Sequence, residues 1–116
     1  MGQVNELLEK GMSPNKQSYN LALIGAGRQG LAILEALIPS RREEQPLRVI
    51  GVADLNPEAP GIIYARRHSV PVYQSFHDLV KIPAVNIIVN ATGLLEVSTE
   101  IQAHCPPNVS VLNCDR

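Results

Sequence analysis

The stretch LALIGAGRQG, residues 21–30, decides how the rest of the chain is interpreted. A short apolar run leads into three glycines, Gly25, Gly27 and Gly30. The run YNLALI predicts a strand, and RQGLAILEALI, with its large apolar residues at helical spacing, predicts a helix that Pro39 ends. A glycine-rich turn between a strand and a helix is the context in which G-x-G-x-x-G binds the phosphates of a dinucleotide.

Each glycine has its own expected role in such a turn. Gly25 permits the tight turn, Gly27 lets the backbone approach a pyrophosphate, and Gly30 lets the helix pack closely on the strand. The N–H groups of the first helical turn favour an anion. Arg28 has two interpretations, a contact along the pyrophosphate or a solvent-facing residue. We expect the dinucleotide to contact the whole loop, which consists of Gly25, Ala26, Gly27, Arg28, Gln29 and Gly30.

The rest of the chain alternates between strand and helix patterns. LRVIGVA, PVY, VNIIVN and VSVLN predict strands, whereas IIYARRH, SFHDLVK and LLEVSTEIQAHC predict helices. This alternation predicts an α/β fold of three layers, with a mainly parallel sheet of about five strands and helices on both faces. Residues 1–18 are expected to form a helical or flexible leader, and residues 19–116 the dinucleotide-binding domain.

An acidic residue follows the second predicted strand. Asp54 lies 24 positions beyond Gly30 (54 minus 30), near the ~20 expected for the carboxylate that holds the adenosine ribose hydroxyls. Its charge would repel a 2′-phosphate, so NAD is the expected cofactor and NADP is disfavoured. The alternative is a turn residue that caps LNPEAPG. The expected site also includes the next residue, Leu55.

The sequence NATG follows the buried-strand pattern VNIIV. Ligands of open parallel sheets bind beyond the carboxyl ends of the strands. Asn90, Ala91, Thr92 and Gly93 are therefore expected to line the same site. The alternative is a helix-entry turn in which Thr92 caps the helix and Gly93 relaxes the backbone, and both interpretations are compatible.

Composition and charge narrow the partners and the location. Hydrophobic residues make up 45% of the chain and the net charge is -1, which gives no electrostatic reason to expect a nucleic acid or an anionic membrane. No run approaches the ~20 apolar residues of a membrane span. No signal-peptide pattern is present, so a cytoplasmic location is expected. Cys105 and Cys114 have no metal-ligand spacing, and no metal site is expected.

The sequence offers no catalytic residue. His68, His77 and His104 fall inside or at the ends of predicted helices, where a structural or solvated role is the simpler interpretation. No lysine or histidine follows a predicted strand end, where hydride chemistry would occur.

Three segments, LIGAGRQG, VIGVADLNPEAPGIIYARRHSVPVY and VNIIVNATG, carry a resemblance to known proteins. Together they resemble the N-terminal Rossmann-type cofactor domain of glucose–fructose oxidoreductase-like enzymes, homoserine dehydrogenases and dihydrodipicolinate reductases. The resemblance covers residues 20–113. It implies NAD(P) binding, but those enzymes carry their substrate residues in a following α+β domain, so no catalytic residue is transferred. ADLNPEAPGIIYARRHSVPVY followed by ATG is also similar to Rossmann-type domains ahead of PAS and histidine-kinase modules in bacterial signalling proteins.

The sequence thus predicts an NAD(P)-binding module without its own catalytic domain. The first hypothesis is a sensory or regulatory domain of a larger bacterial signalling protein. The second is the cofactor-binding half of an NAD-dependent dehydrogenase or reductase, and the third is a Rossmann fold that binds nothing. The expected partners are the dinucleotide, a missing downstream domain and a second copy of the chain, because the edge of the sheet needs covering.

Overall fold

The computed structural model describes residues 19–38 and 47–114, in which five strands alternate with four helices. The predicted leader and Pro39 lie outside the described residues. The strands are β1 (Tyr19–Ile24), β2 (Leu47–Ala53), β3 (Val72–Tyr73), β4 (Ile87–Asn90) and β5 (Ser110–Asn113). The helices are α1 (Arg28–Leu37), α2 (Pro60–Arg67), α3 (Phe76–Val80) and α4 (Leu95–His104).

The five strands form one sheet in the order β3-β2-β1-β4-β5, and every pair of neighbours is parallel. The predicted α/β fold is therefore confirmed. The chain fills the sheet on one side of β1 with β2 and β3, and then on the other side with β4 and β5. The loops after β1 and β4 diverge at this reversal, which leaves a crevice at the carboxyl ends of the two strands.

The strand β1 shows why the fold has three layers. Leu21 and Leu23 pack in an apolar cluster with residues of α1 and α2, whereas Ala22 and Ile24 pack in a second cluster with residues of α3 and α4. Alternate side chains of a strand point to opposite faces, so both faces of the sheet are covered. Burial of one large aliphatic side chain contributes about 1.5–3 kcal/mol. The largest fully buried ones are Leu23, Leu34, Val52, Ile62, Leu79, Ile88 and Ile101.

Local sequence explains where several helices begin. Pro60 is at the start of α2, where its fixed φ suits the first turn. Ser75 caps α3, because its Oγ accepts a hydrogen bond from the His77 N–H at 3.2 Å. The predicted cap of α4 is wrong: its N-cap is Leu94 and not Thr92. No helix within the described residues has the length and apolarity to cross a membrane.

Candidate functional site

The carboxyl ends of the strands are tied together just beyond the sheet. At four places the first N–H after one strand donates to the last carbonyl of its neighbour. These bonds run from Gly25 to Ala53 (2.8 Å), from Asp54 to Tyr73 (3.0 Å), from Ala91 to Ile24 (2.7 Å) and from Cys114 to Asn90 (2.9 Å). The loops that follow the strands therefore leave from one edge, and this brings the predicted site residues together.

These loops surround a cleft of about 650 Å³, a volume within the roughly 300–1,000 Å³ of small-molecule sites. Eight of the twelve predicted site residues line it: Gly25, Gly27, Arg28, Gln29, Asp54, Leu55, Ala91 and Thr92. Ala26, Gly30 and Asn90 are buried instead. Gly93 and Asn90 line a smaller neighbouring pocket. The structure thus gathers most of the predicted residues around one space and places the others in support of it.

The cleft has a further wall that the sequence patterns did not predict. Gln74, Ser75, Phe76 and His77 follow β3 and line it, as do Leu94 and Val97. The rule that ligands bind beyond the carboxyl ends of parallel strands applies to β3 as well. Its signal was weak because β3 has only two residues.

Two of the three motif glycines are required by the protein's own packing. Gly25 has φ +97°, and a Cβ there would lie 2.9 Å from the backbone and side chain of Thr92. At Gly30 a Cβ would collide with the carbonyl oxygen of Gly25. The third position, Gly27, is different, because a Cβ there would meet nothing within 4 Å. The loop is therefore open to the cleft at Gly27, as an approaching ligand requires.

The start of α1 is suited to an anion. Its N-cap, Gly27, has no side chain to cap the helix, and the first turn contains no acidic residue. The first bond within the helix runs from the Leu31 N–H to the Gly27 carbonyl at 2.8 Å, so the preceding N–H groups have no partner within the helix. The exposed Arg28 adds a positive charge beside the cleft. Donors, dipole and charge all favour a phosphate here.

The carboxylate of Asp54 holds the loop together. Its Oδ2 accepts a hydrogen bond from the Ala26 N–H at 2.7 Å, and its Oδ1 accepts one from the Asn56 N–H at 2.8 Å. The second bond confirms the interpretation of Asp54 as a turn residue, and the first was not predicted. A carboxylate has about four acceptor sites, so each oxygen can still accept a hydrogen bond from a ligand hydroxyl.

The buried side chain of Asn90 supports the turn after β4. Its Oδ1 accepts hydrogen bonds from the N–H of Thr92 at 3.1 Å and from the Thr92 hydroxyl at 2.7 Å. Its Nδ2 donates to the Oδ1 of Asn113 on β5 at 3.1 Å. Asn90 is 3% exposed, so it positions Thr92 at the cleft from beneath.

No model of a protein family matches the chain, and no curated protein matches it in sequence. Solved structures do match. One is GenD2 from gentamicin A biosynthesis in complex with NAD, with a TM-score of 0.67 and 19% identity over 84% of this chain. Another is myo-inositol dehydrogenase from Lactobacillus casei in complex with NAD(H) and myo-inositol, with a TM-score of 0.66 and 19% identity over 84%. The chain has the fold of a Rossmann-type dinucleotide-binding domain.

A third similar structure is a homoserine dehydrogenase from Thiobacillus denitrificans, with a TM-score of 0.60 and 23% identity over 85% of this chain. The chain spans 27% of GenD2, 28% of the inositol dehydrogenase and 24% of the homoserine dehydrogenase. The likeness thus concerns one domain of each of these larger proteins. It confirms the fold that the three sequence segments predicted.

Proposed function

We propose that this chain is the NAD-binding part of a dehydrogenase or reductase. The observation that carries the proposal is the open backbone at Gly27, which stands at an uncapped helix start inside the cleft. The remaining acceptor capacity of Asp54 is on the same cleft. An anion seat and a hydroxyl acceptor are the two features that the pyrophosphate and the adenosine ribose of NAD need.

Each side of the cleft has a role in this proposal. The N–H groups at the start of α1 and the side chain of Arg28 hold the pyrophosphate, and Asp54 accepts hydrogen bonds from the ribose hydroxyls. Leu55, which is 80% exposed, offers an apolar surface to the adenine. Ala91 and Thr92 bound the opposite side, where their small side chains permit close approach. The bound cofactor would supply hydride transfer, while these residues bind and orient it.

The charge of Asp54 favours NAD over NADP. A 2′-phosphate on the adenosine ribose would stand close to this carboxylate, and two like charges at that separation repel each other. Arg28 lines the same cleft, but it lies in the first turn of α1 and serves the pyrophosphate in this proposal.

The dehydrogenase function is proposed ahead of a sensory one because of the similar structures. Two of the three are named as dehydrogenases, and two are complexes with NAD or NAD(H). None of the three is described as a signalling protein. This chain covers only 24–28% of each of them, so the substrate-binding and catalytic residues of the proposed enzyme would lie in a further domain.

Calorimetric titration of the chain with NAD⁺, NADH, NADP⁺ and NADPH tests the proposal. Saturable binding with NAD forms preferred is the expected result. Gly27→Val should weaken it by ~10-fold or more, because the side chain would fill the space left for the pyrophosphate. The fold should survive, since a Cβ at Gly27 meets no protein atom within 4 Å. Glu35→Gln, on the exposed side of α1, is the control and should bind normally.

The result that would overturn the proposal is the absence of binding for all four nucleotides up to ~1 mM, a limit corresponding to about −4 kcal/mol. Equal binding by Gly27→Val and the unmodified chain would also contradict it. The sensory function would be favoured by two results together. The chain would bind one redox state of the nucleotide much more tightly than the other, and a longer protein that includes a further domain would show no hydride transfer.

The edge strand β5 suggests a second partner. Among the described strands, β5 pairs only with β4, and Leu112 on this strand is 56% exposed; a strand edge left open tends to pair. We include a homodimer in the proposal. Sedimentation at micromolar protein should show a dimer, and a monomer at every concentration would contradict it.

A further inference from the structure

Three side chains that can bind metals converge between α3 and α4. His77 comes from α3, and Glu100 and His104 are one turn apart on α4. The Nε2 of His77 lies 3.2 Å from the Oε1 of Glu100, and the Nδ1 of His104 lies 3.7 Å from the same oxygen. One ligand atom from each residue can be chosen so that all three lie within 4.8 Å of one another.

Both imidazoles are oriented by a second oxygen. The Nδ1 of His77 is 3.3 Å from the hydroxyl oxygen of Ser75, which leaves its Nε2 facing Glu100. The Nδ1 of His104 is 2.9 Å from the backbone carbonyl of Glu100. Metal-binding histidines in proteins are commonly held as His77 is, with one ring nitrogen fixed by an oxygen and the other free for the metal.

The spacing between His77 and Glu100 is also compatible with a shared metal ion. Donors bonded to a tetrahedral zinc ion at ~2.0–2.1 Å lie roughly 3.3 Å apart, close to the 3.2 Å between His77 and Glu100. The rings of His77 and His104 have centroids 5.3 Å apart and meet edge to face. One divalent cation would neutralise the carboxylate and could be bound by both rings.

We propose that His77, Glu100 and His104 form a binding site for a divalent transition metal ion, with Zn²⁺ as the occupant of choice. Two imidazole nitrogens and one carboxylate oxygen are ligands that zinc accepts. The side chains are 44–54% exposed, so water completes the coordination and the ion enters directly from solvent. The bound ion joins α3 to α4.

Calorimetric titration of the untagged full chain with Zn²⁺ tests this site. One equivalent should bind, and Glu100→Gln and His104→Ala should each weaken binding by ~10-fold or more because each removes a ligand. His68→Ala is the matched control. The Nδ1 of His68 is also 2.9 Å from the carbonyl four residues earlier, but His68 does not belong to the three-residue cluster. This variant should bind zinc as the unmodified chain does.

Two further measurements exclude trivial explanations. The far-UV circular dichroism spectrum of each variant should match that of the unmodified chain, because the three substituted residues, His68, Glu100 and His104, are exposed. If one of the two α4 variants does not fold, the other still tests the site. Titration with Co²⁺ reports ligand type, since coordination by Cys105 or Cys114 would give an intense thiolate charge-transfer band. No zinc binding up to ~100 µM, thiolate coordination, or equal losses in His68→Ala and His104→Ala would overturn the proposal.

Discussion

At Gly30, a single methyl group would compete with the turn that opens α1. A Cβ there would occupy the space of the Gly25 carbonyl oxygen, whereas a Cβ at Gly27 has open space. We expect Gly30→Ala to lower the free energy of unfolding by ~2 kcal/mol or more. Gly27→Ala should change it by less than ~0.5 kcal/mol. Chemical denaturation measures both, and equal stability of the two variants would contradict the assignment.

Asp54 has an observed role in the loop and a proposed role in the choice of cofactor, and one substitution tests both. In Asp54→Asn, an amide nitrogen replaces one carboxylate oxygen. This nitrogen cannot accept the hydrogen bond from the N–H of Ala26 or Asn56. The free energy of unfolding should fall by ~1–2 kcal/mol. The ratio of NADP to NAD affinity should rise, because the repelling charge is gone. Denaturation and calorimetry measure the two effects. Glu35→Gln is the control for the loss of one negative charge elsewhere. If Asp54→Asn leaves the cofactor preference unchanged, Asp54 does not bind the adenosine ribose.

The contrast between Gly27 and Asn90 shows what local sequence reveals about a site. The spacing of the three glycines and the position of Asp54 after an apolar run are local signals, and eight predicted residues do line the cleft. Asn90 was expected to line it as well, but its amide is used by Thr92 and Asn113. Asn113 is 23 positions away, and no local pattern indicates such a partner.

At the scale of elements, the sequence predicted the order of strands and helices because most of the strands are short apolar runs bounded by turn residues. The start of α4 was harder. Thr92 has the composition of a cap, but its Oγ accepts the Leu94 N–H at 3.1 Å in a turn before the helix. Whether a threonine caps a helix or closes the preceding turn depends on backbone angles that its identity does not set. No local sequence pattern predicts the His77–Glu100 contact either, because the two residues are on different helices.

The side chain of Asn90 links β4, the turn at Thr92 and β5, so its removal should affect all three. Asn90→Ala leaves the Thr92 N–H and hydroxyl without their acceptor and removes the link to β5. We expect the free energy of unfolding to fall by ~1–3 kcal/mol. Hydrogen exchange should be faster at Thr92 and Leu94. Asn113→Ala removes only the link to β5 and should cost less. If Asn113→Ala lowers the free energy of unfolding as much as Asn90→Ala does, the stabilisation comes from the link between β4 and β5 and not from the turn.

At the scale of the molecule, the cleft and the cluster proposed to bind zinc share one wall. His77 and Phe76 of α3 line the cleft, as does Val97 of α4, and His77 is also a proposed zinc ligand. Phe76 and Val97 pack against the same buried cluster on that face of the sheet. An ion that joins α3 to α4 would therefore fix the wall against which the proposed cofactor would lie.

Zinc and NAD should consequently strengthen each other's binding. A wall fixed in advance lowers the conformational cost of cofactor binding, and a coupling of ~5-fold is at the low end of typical values. Thermodynamic linkage requires NAD to raise zinc affinity by the same factor. Calorimetry with NAD⁺ in saturating zinc and in a chelator measures one side, and zinc titration with and without NAD⁺ measures the other. His104→Ala should abolish the coupling while retaining NAD binding, because His104 does not line the cleft. NAD affinity that is the same with zinc and with chelator would show that the two sites are independent, even if both bind.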